Sequence, residues 1–251
     1  MKKLTDFSSF QWILEETERV DFINWQGSFV YHFIPERFSH YCKIMHPIFR
    51  DLNVTDENLL WSDCDPDEEI DFNNSERLSF KDLAFKYDLK YTKEFSSHTI
   101  CHLHGTRFPK CPRYLLFPSE GTMDEGTLRR MLPLLQSFTS GSCYFQYHLL
   151  AVRNYREDHG NGYLYHGGLK DVVGLCSSKD HPVSPTYWWD ENREWCLYTD
   201  PDLDFTLFGG NKRMIDKLKG DSLLEVIEVD RETRVDHYAD MENHPGIDHI
   251  K

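Results

Sequence analysis

Apolar residues recur at helical spacing in some stretches of the chain and alternate in others. Residues 7–20 put Phe10, Ile13 and Leu14 on one stripe, with Thr17 extending it, and predict a helix capped by Ser8 or Ser9. Residues 27–34 alternate and predict a strand that Pro35 ends. Residues 36–50 carry Phe38, Tyr41, Ile44 and Met45 at helical spacing and predict a helix that Pro47 ends or kinks. Residues 79–88 predict a short helix capped by Ser79. Residues 122–138 predict a longer helix with Leu128, Met131, Leu132 and Leu135 on one face, Pro133 inside it, and Thr122 and Glu125 spaced as a capping box. Strands are predicted over 99–104, 113–117, 142–152, 162–166, 171–175, 194–199, 204–208 and 223–229. The polar run Asn-Tyr-Arg-Glu-Asp-His-Gly-Asn-Gly after the 142–152 strand predicts a hairpin tip or surface loop, and Gly209-Gly210 predicts a turn into a helix over 211–218.

Strands and helices are interspersed without a βαβ rhythm. The expected fold class is therefore α+β, with a mixed, mainly antiparallel sheet and flanking helices. The expected organisation is one domain over 1–251, with a possible subdivision near 120–140 and a tail that frays from about 236. The composition supports a packed interior: 39% of the 251 residues are hydrophobic and 14% are aromatic, so the core should be rich in rings.

Charge narrows the partners. The net charge of −14 repels nucleic acid phosphates and anionic membrane surfaces and attracts basic proteins. Residues 54–76 hold nine acidic residues and no Lys or Arg, which predicts an exposed loop. Asp63, Asp65, Asp67, Glu68, Glu69 and Asp71 are its candidate partner-binding residues. The seven cysteines are odd in number and irregularly spaced, which predicts reduced thiols. The two N-terminal lysines are not followed by an apolar run, and no stretch reaches membrane-helix length. A cytoplasmic location is the expectation.

The densest chemistry lies in 184–211. Trp188, Trp189 and Trp195 form an aromatic group on which Arg193 can stack, read either as core or as a ligand platform. Asp202-Leu-Asp204-Phe-Thr206 matches the Asp-x-Asp-x-Thr signature of haloacid-dehalogenase-like phosphatases, but few residues follow it, and that motif should end an early strand. The Asp200–Asn211 run lacks the Gly and Glu that a calcium loop requires. Gly209, Gly210 and Asn211 offer backbone N–H groups at a helix start. Together Trp188, Trp189, Arg193, Asp202, Asp204, Gly209, Gly210 and Asn211 are the candidate ligand-binding residues of a second reading, an enzyme or small-ligand-binding protein. Cys101, His102, His104 and Cys111 are zinc-compatible residue types at a spacing that matches no standard knuckle, so no metal is assigned. No Walker loop, dinucleotide fingerprint or nucleophile elbow is present, and no cofactor is expected.

The pattern Ser184-Pro185, Trp188-Trp189, Arg193, Trp195-Cys196, Thr199-Asp200, Asp202 and Gly209-Gly210 resembles a bacterial family without an assigned activity, frequent in actinobacteria and found in Gram-positive relatives. Weaker matches lie at Pro35–Phe38, His46-Pro47 and 114–121. The resemblance implies a shared fold and a bacterial source, and no mechanism. The acidic 54–76 segment and the tail depart from that family. The leading functional expectation comes from charge: a non-enzymatic acidic binding protein, possible as an immunity-type inhibitor of a basic toxin.

Overall fold

A computed structural model describes residues 1–21, 23–65, 70–105, 110–117, 120–147, 162–178, 183–199 and 202–245. The fold is α+β and dominated by sheet, as expected. Its contacts divide it into two compact units, one of residues 1–46 and 119–233, the other of 47–118 and 234–251.

The larger unit is built on an eight-stranded antiparallel sheet. In chain order its strands are β1 (Lys2–Leu4), β2 (His40–Met45), β6 (Cys143–Tyr147), β7 (Tyr163–Gly167), β8 (Tyr187–Asp190), β9 (Cys196–Thr199), β10 (Phe205–Gly210) and β11 (Glu225–Val229), and across the sheet they run β1-β7-β6-β8-β9-β10-β2-β11. Its helices are α1 (Gln11–Glu16), α4 (Glu125–Gln136), α5 (Asp171–Cys176) and α6 (Lys212–Lys219). One sheet face carries Cys42, Ile44, Phe145, Trp188, Leu197 and Phe208 into a core closed by Leu128, Met131 and Leu135 of α4, Val172 of α5 and Ile215 of α6. Alternation sends Trp189 and Tyr144 to the opposite face, where Trp12 of α1 and Phe10 meet Trp189 edge-on and tilted.

The smaller unit has a three-stranded antiparallel sheet in the order β4-β3-β5, from β3 (Ile48–Asp51), β4 (Ser75–Leu78) and β5 (Leu115–Leu116). Helices α2 (Phe80–Lys86) and α3 (Ser97–Cys101) and the segment from 234 onward complete it. Ile48, Phe80, Leu83, Phe95, Ile100, Tyr114, Leu116 and Val235 are buried within it.

Several local expectations fail, each for a physical reason. Residues 40–45 are the central strand β2, not a helix; five of its six residues are buried because neighbours on both sides and both faces enclose it. Residues 97–104 are helix α3 and a 3-10 turn, not a strand, and the Ser96 N–H donates to Thr99 Oγ1 at the helix start. Residues 171–176 are helix α5, where Asp171 Oδ2 accepts from the Gly168 N–H at 2.9 Å. Residues 30–32 form a 3-10 turn in place of a strand, and the first helix is shorter, α1 following a 3-10 turn at Ser8–Phe10. Asp124, not Thr122, caps α4 by accepting from the Thr127 N–H. Gly209 and Gly210 lie inside β10, not in a turn: a methyl on Gly209 would stand 2.5 Å from Ile34 and Phe38. Strands β1, β4 and β8 had no counterpart in the expectation, and β3 lies where the predicted 36–50 helix was to end. The predicted loop after 153 lies outside the described residues, as do strand positions 148–152 and tail positions from 246.

Candidate functional site

The acidic segment begins where β3 ends. Part of its charge serves the fold: Glu57 pairs with Lys86 at 2.7 Å and Arg50 at 2.9 Å, and Asp56 accepts from the Asn58 N–H at 2.9 Å. The Lys86 hydrogen bond, acting against burial and helped by the two cationic charges, holds the Glu57 carboxyl below the usual range. Asp63, Asp65 and Asp71 are exposed. Asp67, Glu68 and Glu69 lie outside the described residues.

Asp71 has a defined role. Its Oδ1 accepts from the Asn73 N–H at 3.0 Å and from Asn73 Nδ2 at 3.1 Å, capping a 3-10 turn at Phe72–Asn74. Ser75 Oγ donates to the Phe72 carbonyl at 2.7 Å, the Leu52 N–H donates to the Asn74 carbonyl, and Asn74 Nδ2 donates to Asn53 Oδ1 at 2.6 Å. These bonds fix the turn against the end of β3. It presents Phe72 at 58% exposure, with Ile70 and Leu52 also exposed. The exposed ring follows Asp71 directly on this ordered turn.

The 184–211 residues do not gather at one place. Trp188 and Trp189 are both buried, on opposite faces of the sheet. Arg193 is exposed in the β8–β9 turn with φ 58°, its guanidinium 5.3 Å from the Trp12 ring. Asp190 orders that turn by accepting the N–H groups of Asn192, Glu194 and Trp195. Burial nevertheless holds the Asp190 carboxyl above the usual range, against those three hydrogen bonds. Asp202, exposed, and Asp204, buried, lie in the β9–β10 connection, at the other end of the antiparallel strands. Gly209, Gly210 and Asn211 return to the Arg193 end, where Asn211 Oδ1 caps α6 by accepting from the Met214 N–H. The Asp-x-Asp-x-Thr run precedes and enters β10 where the phosphatase signature should end a strand. Thr206 instead shares hydrogen bonds with His46 Nε2 at 3.0 Å and Thr199 Oγ1 at 2.9 Å, a buried polar chain linking β9, β10 and the end of β2.

The cysteine expectation also changes. Cys101 and Cys111 form a disulfide with Cα atoms 4.4 Å apart, since the end of α3 comes beside the chain entering β5, a proximity that spacing alone does not reveal. Cys42, Cys64, Cys143, Cys176 and Cys196 are not disulfide-bonded. Thiol counting on unreduced, denatured protein should therefore give five reactive groups, rising to seven after reduction; seven from the start would remove the bond. Among the described residues no group of three or more His, Cys, Asp or Glu is arranged to hold a metal ion.

Sequence reading missed one cluster. His98 and His102, from α3 and the 3-10 turn after it, meet His237 and His244, which are more than a hundred residues later. Five histidines in two short runs, 98–104 and 237–244, were the available signal. No family model, no curated protein and no solved structure matches the chain. Among the described residues no helix is long and apolar enough to cross a membrane.

Proposed function

We propose that the protein is a non-enzymatic acidic binding protein whose exposed Asp63, Asp65, Asp71 and Phe72 engage a basic protein partner, in the manner of an immunity-type inhibitor of a basic toxin. The observation that carries this reading is Phe72, exposed on a hydrogen-bonded turn beside Asp71. An aromatic anchor beside a carboxylate matches a partner that offers an apolar pocket next to a cationic group. The net charge of −14 supports it through steering, which speeds encounter with a basic protein and disfavours nucleic acid. The resemblance of the 184–211 block is the support for a bacterial setting. The Cys101–Cys111 bond weighs against a cytoplasmic setting because reducing compartments disfavour disulfides. The small-ligand or enzyme reading has less support, because its residues occupy opposite faces and ends of the sheet.

Affinity capture of the full chain from its own lysate, washed at low and high salt, tests the proposal. One basic partner should be retained and then lost as salt rises. Phe72→Ala should weaken that partner's binding about 30-fold, the effect of losing a central anchor. Joint replacement of Asp63, Asp65 and Asp71 by Asn should flatten the salt dependence. Capture that ignores both variants would sink the reading.

A further inference from the structure

We propose that the outer edge of β11 is a self-association site, at which a second copy of the chain adds its own β11 antiparallel and joins two eight-stranded sheets into one. The eight-stranded sheet ends at β1 on one side and at β11 on the other. β1 has three residues, of which Lys2 and Lys3 are exposed, and short strands bearing lysine are a usual protection of a sheet edge. β11 has five residues, Glu225–Val229, and Val226, Ile227 and Val229 among them are β-branched.

The backbone direction at this edge follows from the ladder. The His46 N–H donates to the Asp204 carbonyl at 3.0 Å, one step beyond the Met45–Phe205 pair. His46 and Asp204 are therefore a hydrogen-bonded pair. Alternation then turns the N–H and C=O groups of Cys42 and Ile44 toward β10, and those of Tyr41, Lys43 and Met45 toward β11. Their partners Glu225, Ile227 and Val229 are thus bonded inward. Val226 and Glu228 turn their N–H and C=O groups outward, where no segment of the described chain pairs with them.

These two residues are spaced to pair with themselves. A two-fold axis through Ile227 sets Val226 against the partner copy's Glu228, and Glu228 against the partner copy's Val226. Each pair exchanges both of its bonds, so every outward group of the two residues is satisfied. Ile227 meets its own copy and Glu225 meets the partner copy's Val229, so no two carboxylates stand directly opposite. An axis through Glu228 would set that carboxylate against itself. An axis through Val226 would call on the Leu224 N–H, which already donates to the Asp221 carbonyl at 3.1 Å. In the register through Ile227 the two Glu228 side chains meet only diagonally, and each is already paired with Lys219 at 2.9 Å and Lys212 at 3.3 Å. The net charge of −14 on each copy opposes the contact at longer range. Association should therefore strengthen with salt, opposite to the basic-partner surface.

Sedimentation of the full chain over roughly 10 μM to 1 mM, the range for a small interface, tests the site at low and high salt. A monomer–dimer equilibrium that tightens with salt is the expected result. Val226→Pro removes an outward donor and leaves the inward ladder untouched. It should weaken the dimer at least about tenfold, because one acceptor on each copy loses its donor. Hydrogen exchange reads the register. The amides of Val226 and Glu228 should gain protection as concentration rises, while that of Ile227, bonded to β2, is protected throughout. A wild type that stays monomeric across this range overturns the proposal. So does a dimer that Val226→Pro leaves intact, since its contact then lies elsewhere. Should that variant not fold, the wild-type exchange pattern decides, and equal behaviour of Val226, Ile227 and Glu228 overturns the site. The test needs no basic partner, so its outcome is separate from that of the proposed function.

Discussion

Arg113→Met should destabilise the smaller unit by about 3–5 kcal/mol, the cost of leaving a buried charge without its partner. Arg113 Nη1 lies 2.9 Å from Asp51 Oδ2, with the two side chains 3% and 2% exposed. The guanidinium also sits 4.2 Å from the centre of the Trp61 ring. Burial alone would raise the Asp51 carboxyl. The Asn53 N–H and Arg113 together outweigh burial and hold it below the usual range. Its contribution is therefore full above the ordinary carboxylate range and is lost only as pH falls below it. Exchange at the β3 and β5 amides measures the effect. A loss under about 1 kcal/mol would mean that the pair contributes no more than a surface ion pair.

Trp188→Ala should cost the larger unit about 3–5 kcal/mol, the range for emptying a buried aromatic site. Trp188 is fully buried, 6.0 Å from Trp195 with their planes at 89°, and 6.4 Å from Phe145. The indole N–H finds no acceptor among the described residues, so Trp188→Phe should recover much of the loss. Urea denaturation of the three proteins gives the comparison. A Trp188→Ala protein of unchanged stability would reopen the reading of this residue as a ligand platform.

The fold class was legible because strands β6, β9, β10 and β11 carry alternating or β-rich runs and Ser79 and Asn211 stand where helix caps should. His40–Met45 was misread because a strand buried on both faces has no polar side to reveal a period of two, and its apolar residues also fit three-and-four spacing. Asp171–Cys176 was misread from its paired valines, where the local bond from Gly168 to Asp171 prevails over β propensity. The acidic run stood out as composition. Phe72 did not, because nothing in a lone aromatic tells whether a turn will hold it outward. The histidine cluster was hidden by the distance along the chain between its halves.

The division of the smaller unit around residues 119–233 has a consequence for biosynthesis. A ribosome releases the three-stranded sheet and α3, then must translate about a hundred further residues, roughly ten seconds of elongation, before the segment bearing His237 and His244 emerges. Until then the nascent chain holds one half of a histidine pairing with nothing to close on it. Completion of the smaller unit is thus a late event in synthesis, and a chain truncated before residue 234 would lack it altogether.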